Sequence, residues 1–355
     1  MQNQLTRLVN AYNSNMPFVC YKEPEANVVK VFIGQSLEIH PTTLNLELKD
    51  QSSGFIFMPF KQDVKGYYLP FNEAEEIEIS LNINREILNT VTLKEDVIEK
   101  TVYIQKIKNC LDYLKTSDTQ KVVFTRRKSH IISTLDLKLI FQSLFEISTT
   151  NFQYIWFHPN TNLWVGSTPE TLCSQDSEGY YTMALAGTNL YKEALVWQSK
   201  EIKEQAFVTQ EIVAKLKTKK VPVKLGETTT LKTGRLAHIK TDIFVEAQPG
   251  FSIFDMALLL HPTPAVCGLP TQEAKAYLLA HEAYTREFYT GFLGVHTPAK
   301  SKFYVNLRCM QLKTNEALLY AGGGITIDSN PDMEWTETCI KLQSMMQVIA
   351  THLKN

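Results

Sequence analysis

Apolar residues in this chain gather in short runs separated by turn-forming residues. Before residue 110 the runs FVCYK, VVKVFIG, GFIFMPF, GYYLPF and IEISL read as strands. A short amphipathic helix carrying Leu5, Leu8, Val9 and Tyr12 precedes them. So many short strands in so little chain predict a large, mostly antiparallel sheet. From about Lys94 to Leu114 the spacing turns helical, then leads into the strand KVVFTRR. Downstream, LDLKLIFQSLFEIS predicts a helix, FQYIWFHP and LWVGSTPETL a hairpin, and YYTMALAGTNL a strand. A long helix is expected from about Ala194 to Leu216, followed by a hairpin over LGETTTLKTGRLAHIKTDIFVEA and a helix starting near Thr271. No repeat, low-complexity tract or linker divides the chain, so one large domain over residues 1–355 is expected.

From residue 121 onward, charged residues interrupt the apolar strands. In KVVFT, Lys121, Val123 and Thr125 share a face. A lysine beside Val123 is partly desolvated, which favours the neutral amine and makes it a candidate base; a strand-entry lysine reaching solvent fits the same pattern. Glu170 follows a proline at a strand end, where a turn carboxylate is also at home. Gly187 sits in a strand where a ligand or a second backbone comes close. His261 lies in the rigid loop HPTPA, either as a polar site residue or as a loop-packing histidine, and TREFYTG brings Tyr289 to a helix–strand junction.

The densest stretch runs from Asn306 to Lys341. It predicts a strand with Arg308 as its one cation among Tyr304, Val305, Leu307 and Met310, and a second strand ALLYA. A bend at Gly322-Gly323-Gly324 would turn peptide N–H groups toward an anion. After Ser329-Asn330-Pro331 a helix begins near Asp332, with Glu334, Glu337 and Lys341 on one face. Glu201 and Glu204 repeat the i, i+3 carboxylate spacing on the earlier long helix. Two such pairs suit a hard divalent cation, and they also suit plain solvated faces.

Composition narrows the partners. The 355 residues are 44% hydrophobic and 21% charged, enough to bury a substantial core. A net charge of −1 without a basic block speaks against nucleic acid or an anionic membrane as the main partner. Six scattered cysteines lack zinc-like spacing and fit reduced thiols. With no signal-like amino terminus and no apolar run near the ~18 residues that span a bilayer, a cytoplasmic protein is expected.

Taken together, the motifs resemble those of the chorismate-utilising enzymes, the isochorismate, salicylate, anthranilate and aminodeoxychorismate synthases. The resemblance covers roughly residues 111–350 and leaves 1–110 motif-poor. It rests on KVVFTRR, GSTPETL, ALAGT, EIKEQAFV, HPTPAVCG, REFYTGFLG, NLRC, AGGGI and EWTETCIK, in family order. It implies an α+β fold of two large antiparallel sheets packed face to face with helices outside. It implies Mg²⁺ held by Glu204 and Glu337, with Glu201 and Glu334 reaching the ion's waters. Lys341 would lie near the ring carboxylate of chorismate. Arg308, Tyr289 and N–H groups around Gly322 would cradle the enolpyruvyl carboxylate, and Gly187, Thr188, His261 and Gly324 would complete the substrate site. Members that add ammonia carry glutamine where this chain has Lys121; members that add water carry lysine. By the resemblance Lys121 deprotonates water for attack at C2, and Glu170 protonates the departing C4 hydroxyl. The aminodeoxychorismate branch has a nucleophilic lysine where this chain has Ala186. Departures occur at Glu201, Ile202 and Gln205, and at Asn306 and Thr290.

The implied function is an isochorismate synthase, a reversible isomerase that serves menaquinone in preference to siderophore synthesis. It would work without a glutamine amidotransferase partner, as a monomer or weak homodimer. The alternatives are a salicylate synthase and, from another class, a non-catalytic chorismate-binding subunit.

Overall fold

The computed structural model describes residues 2–39, 44, 53–81, 96–146, 150–233 and 236–353. Two nine-stranded antiparallel sheets form its centre. The first runs in the order Gly268–Leu269, Lys121–Ile131, Glu316–Ile325, Cys309–Lys313, Asn162–Thr168, Phe152–His158, Phe18–Lys22, Val28–Ile33 and Glu75–Ser80. The second runs Val223–Thr233, Leu236–Val245, Gly179–Leu190, Thr171–Asp176, Ser301–Val305, Phe292–His296, Gly54–Met58, Gly66–Pro70 and Leu37–Ile39. The motif-poor strands before residue 81 thus complete the far ends of both sheets.

Successive side chains point to opposite faces of each sheet, and because many strands are apolar at consecutive positions both faces are buried. The inner faces meet in an aromatic layer that includes Tyr21, Phe32, Trp156 and Trp164 from one sheet and Phe55, Phe57, Tyr67 and Tyr304 from the other. Ring centroids of Phe57 and Trp156 stand 5.2 Å apart, and those of Phe152 and Tyr304 4.3 Å. Outside the first sheet pack the helices Gln2–Asn13, Leu137–Phe145 and Pro331–Ile349. Helices Ser199–Thr218 and Ile253–Leu260 cover the second. Val97–Thr116 and Thr271–His281 close over the end of the first sheet that carries Lys121.

Several boundaries differ from the sequence reading, each for a local reason. The helix expected from Ala194 starts at Ser199, where Gln198 and Glu201 form a capping box. Asp96 caps the helix Val97–Thr116 through the Glu99 amide, while Lys94 and Glu95 lie outside the described residues. The single strand expected across Tyr304 to Met310 is two strands, one in each sheet. The glycine triplet does not bend the chain: Gly322, Gly323 and Gly324 continue a strand in register with Thr125, Phe124 and Val123. Among the described residues no helix is long and apolar enough to cross a membrane.

Candidate active site

Two neighbouring crossings between the sheets place the central residues. Asn162–Thr168 lies in the first sheet and Thr171–Asp176 in the second, with Glu170 on the link; Ser301–Val305 and Cys309–Lys313 repeat the change in reverse, with Arg308 on theirs. The links are bonded to each other. The Val305 amide donates to the Glu170 carbonyl at 3.0 Å, and the Ser167 amide to the Arg308 carbonyl at 3.1 Å. Thr168 Oγ1 donates to the Val305 carbonyl at 2.6 Å. Arg308 takes a left-handed backbone, φ 45°, uncommon for a residue with a side chain.

A cleft of about 980 Å³, partly open to solvent, lies beside these crossings. Lys121 and Val123 enter it from their strand, and Gly322 and Gly324 from the neighbouring one. Gly324 leaves room for two side-chain ends: a Cβ there would stand 2.7 Å from Lys121 Cε and 2.8 Å from Glu204 Oε1, and both would have to shift. That room admits an ion pair between Lys121 Nζ and Glu204 Oε1 at 2.6 Å. Gly187 reaches the cleft through a bulge, φ 69°, with the backbone oxygen of Glu201 3.1 Å from where its Cβ would be.

The helices Ser199–Thr218 and Pro331–Ile349 each bring an i, i+3 carboxylate pair to the cleft: Glu201 with Glu204, and Glu334 with Glu337. Lysines meet three of the four. Besides the Lys121 pair, Lys200 lies 3.4 Å from Glu334, and Lys341 lies 2.7 Å from Glu337. Lys341 also donates to the Gly322 carbonyl at 2.8 Å. The fourth, Glu201, accepts from the Gln198 amide at 3.1 Å. In this arrangement no three acidic, histidine or cysteine groups among the described residues converge on one point. The donor set nevertheless fits a hard cation, because it is made of carboxylate oxygens alone. Burial first, and then Glu337, hold the Glu334 carboxyl above the usual range, a repulsion that a divalent cation relieves.

Glu170 is 5% exposed, and burial pushes its carboxyl up to about 7 against the pull of Lys121 and Lys341. Burial also draws the Arg308 guanidinium down to about 10. Tyr289 stacks on Tyr320 at 5.1 Å, and both rings border the cleft.

The cleft brings together every candidate named from the sequence except His261. That histidine is buried behind the wall, with Nε2 3.2 Å from the Pro59 carbonyl and 3.1 Å from that of Phe60. Its ring meets Phe292 edge-on, so it packs the loop. The sequence reading missed His238, which borders the cleft between Thr188 Oγ1 at 3.2 Å and Arg308 Nη2 at 3.5 Å. Burial, then Arg308 and Lys341, favour its neutral ring.

The chain is similar to several known proteins in sequence and in fold. Isochorismate synthase EntC of Escherichia coli (strain K12) is 26% identical over 295 residues, 79% of this chain and 75% of that protein. Among solved structures, MenF, the menaquinone-specific isochorismate synthase from Escherichia coli, matches with a TM-score of 0.77 at 20% identity, over 94% of this chain and 88% of that one. Anthranilate synthase component I from Streptococcus pneumoniae matches with a TM-score of 0.70 at 16% identity, over 93% and 92%. The model of the chorismate binding enzymes matches residues 63–350, which hold both crossings, both carboxylate helices and the whole cleft lining, and the chain belongs to that family.

Proposed function

We propose that the protein is an isochorismate synthase that converts chorismate to isochorismate reversibly. The observation that carries this reading is that a lysine, Lys121, and a buried acid, Glu170, line one cleft. Water attacks C2 with Lys121 as its base. The ring double bonds shift, and the C4 hydroxyl leaves as water with the proton of Glu170. Base and acid are thus separate groups whose environments assign their roles. Arg308 offers a guanidinium fork to the enolpyruvyl carboxylate, with Tyr289 beside it. The likeness to EntC supports the reaction class.

The same proposal includes Mg²⁺. Glu204 and Glu337 would hold the ion, with Glu201 and Glu334 toward its waters. When bound, the ion supplies a counter-charge for the substrate's ring carboxylate. Lys341, at the same end of the cleft, orients that carboxylate.

Turnover in H₂¹⁸O tests the chemistry. Water addition predicts one ¹⁸O in the C2 hydroxyl of isochorismate, seen as a two-dalton mass increase. Isochorismate formed without label would contradict solvent attack and the role of Lys121.

A further inference from the structure

The ion pair of Arg286 and Glu282 lies behind the cleft, with side chains 1% and 5% exposed, and the reaction makes no direct use of it. All five N–H groups of the guanidinium are engaged. Nε and Nη2 donate to the two Glu282 oxygens at 2.8 and 2.6 Å. Nη2 also donates to the Val123 carbonyl at 2.8 Å. Nη1 donates to the Val266 carbonyl at 2.8 Å and to Thr290 Oγ1 at 3.2 Å. No donor remains for a substrate.

The partners are the walls of the cleft. Val123, Val266 and Thr290 each border it, from a strand, a loop and a turn that are far apart in sequence. Glu282 Oε1 further accepts from the Thr125 amide at 3.0 Å and the Thr125 hydroxyl at 2.6 Å. Among the described residues, the strand Lys121–Ile131 is paired at this edge only with Gly268–Leu269, opposite Lys121 and Val122. The Val123 amide still finds the Cys267 carbonyl at 2.9 Å. Beyond it, Arg286 takes the Val123 carbonyl and Glu282 takes the Thr125 amide, so two side chains continue the ladder where the neighbouring strand has ended.

We infer that Arg286 and Glu282 are positioning residues that set the Lys121 strand against the turn carrying Tyr289 and Thr290. The catalytic consequence rests on the isochorismate synthase reading; the structural one does not. Thr290, a departure from the family pattern, belongs to the device through its hydroxyl, which accepts from Arg286 and donates to the Tyr289 carbonyl at 2.6 Å.

The test compares wild type, Arg286→Lys, Arg286→Met, Thr125→Val and the double variant Glu282→Gln/Arg286→Met. Lysine keeps the charge but loses the fork, so kcat should fall about 100-fold, more than KM changes. Thr125→Val, the mildest change, should lower kcat in the same direction with a smaller drop in melting temperature than Arg286→Met. The double variant leaves no unpaired buried charge, so it should melt above Arg286→Met alone while kcat stays low. Amide hydrogen exchange, followed without substrate, should quicken at Val123–Thr125 in every variant. Wild-type kcat in the double variant, or unchanged exchange at that segment, would overturn the inference. A wild-type protein that makes no isochorismate would instead refute the functional reading, and exchange would still decide the positioning role.

Discussion

Glu170 shows most directly how one residue's surroundings select its chemistry. Its carboxyl is raised from 4.5 to about 7 by burial, with Lys121 and Lys341 opposing the shift. It therefore carries its proton below about pH 7, and activity that needs the acid should fall as pH rises through that value. Linkage gives a second sign. Between pH 4.5 and about 7 the folded chain binds more protons at Glu170 than the unfolded chain, so this group's contribution to stability is full below 4.5 and lost as pH rises through about 7. Glu170→Gln should abolish turnover yet melt above wild type at pH 8, with the gap closing toward acid pH; a gap of opposite sign would refute the burial account. Lys121→Gln should abolish water addition while chorismate still binds, checked by turnover and by equilibrium binding. Near-normal turnover would remove Lys121 from the base role. Residue types were legible in the sequence because a lysine, an acid and an arginine interrupt apolar runs. His238 was not, since its place beside Thr188 follows from the pairing of two strands after a bulge at Gly187. His261 carried a motif-like setting but serves packing.

At the scale of elements, the site depends on close approach between strands and helices. Gly324→Ala would drive a methyl into the Lys121–Glu204 pair, with contacts of 2.7 and 2.8 Å. A displacement of that kind predicts a kcat loss on the order of 100-fold with the fold retained, measured by kinetics beside circular dichroism. Gly187→Ala meets a left-handed backbone as well as Glu201, and should cost at least about 1–2 kcal/mol of stability by chemical denaturation. On the helix Pro331–Ile349, Glu337→Ala should abolish the response of activity to Mg²⁺; a normal response would place the cation elsewhere. The start of that helix was legible, because Asn330 caps the Asp332 and Met333 amides and Pro331 occupies the first turn. The break at Arg308 was hidden because apolar residues lie on both sides of it, Tyr304, Val305 and Leu307 before and Met310 after. What divides the segment is non-local: Asn306 bonds the Phe288 carbonyl at 2.9 Å and accepts from Tyr154 at 2.7 Å. The glycine triplet misled for a related reason. Its glycines leave room for the neighbouring side chains instead of bending the chain.

For the whole molecule, the sandwich holds two walls of one cleft through its aromatic layer. Phe288 stacks on Phe57 at 4.3 Å and belongs to the segment that leads to Tyr289 and Thr290. Phe288→Ala should cost about 3–5 kcal/mol in chemical denaturation and lower turnover at the same time, because the same ring supports core and site. The many short apolar runs made a large antiparallel sheet legible, and the resemblance to the chorismate-utilising enzymes implied its division into two. Which strand joins which sheet was not legible, since membership follows from pairing between segments far apart in sequence, such as Thr171–Asp176 with Ser301–Val305 and Cys309–Lys313 with Asn162–Thr168. The account's central claim is tested most directly by incubating the purified protein with chorismate and Mg²⁺ and separating the products by chromatography. It predicts isochorismate at a steady ratio to chorismate, without pyruvate. Salicylate with stoichiometric pyruvate, or no turnover at all, would contradict it.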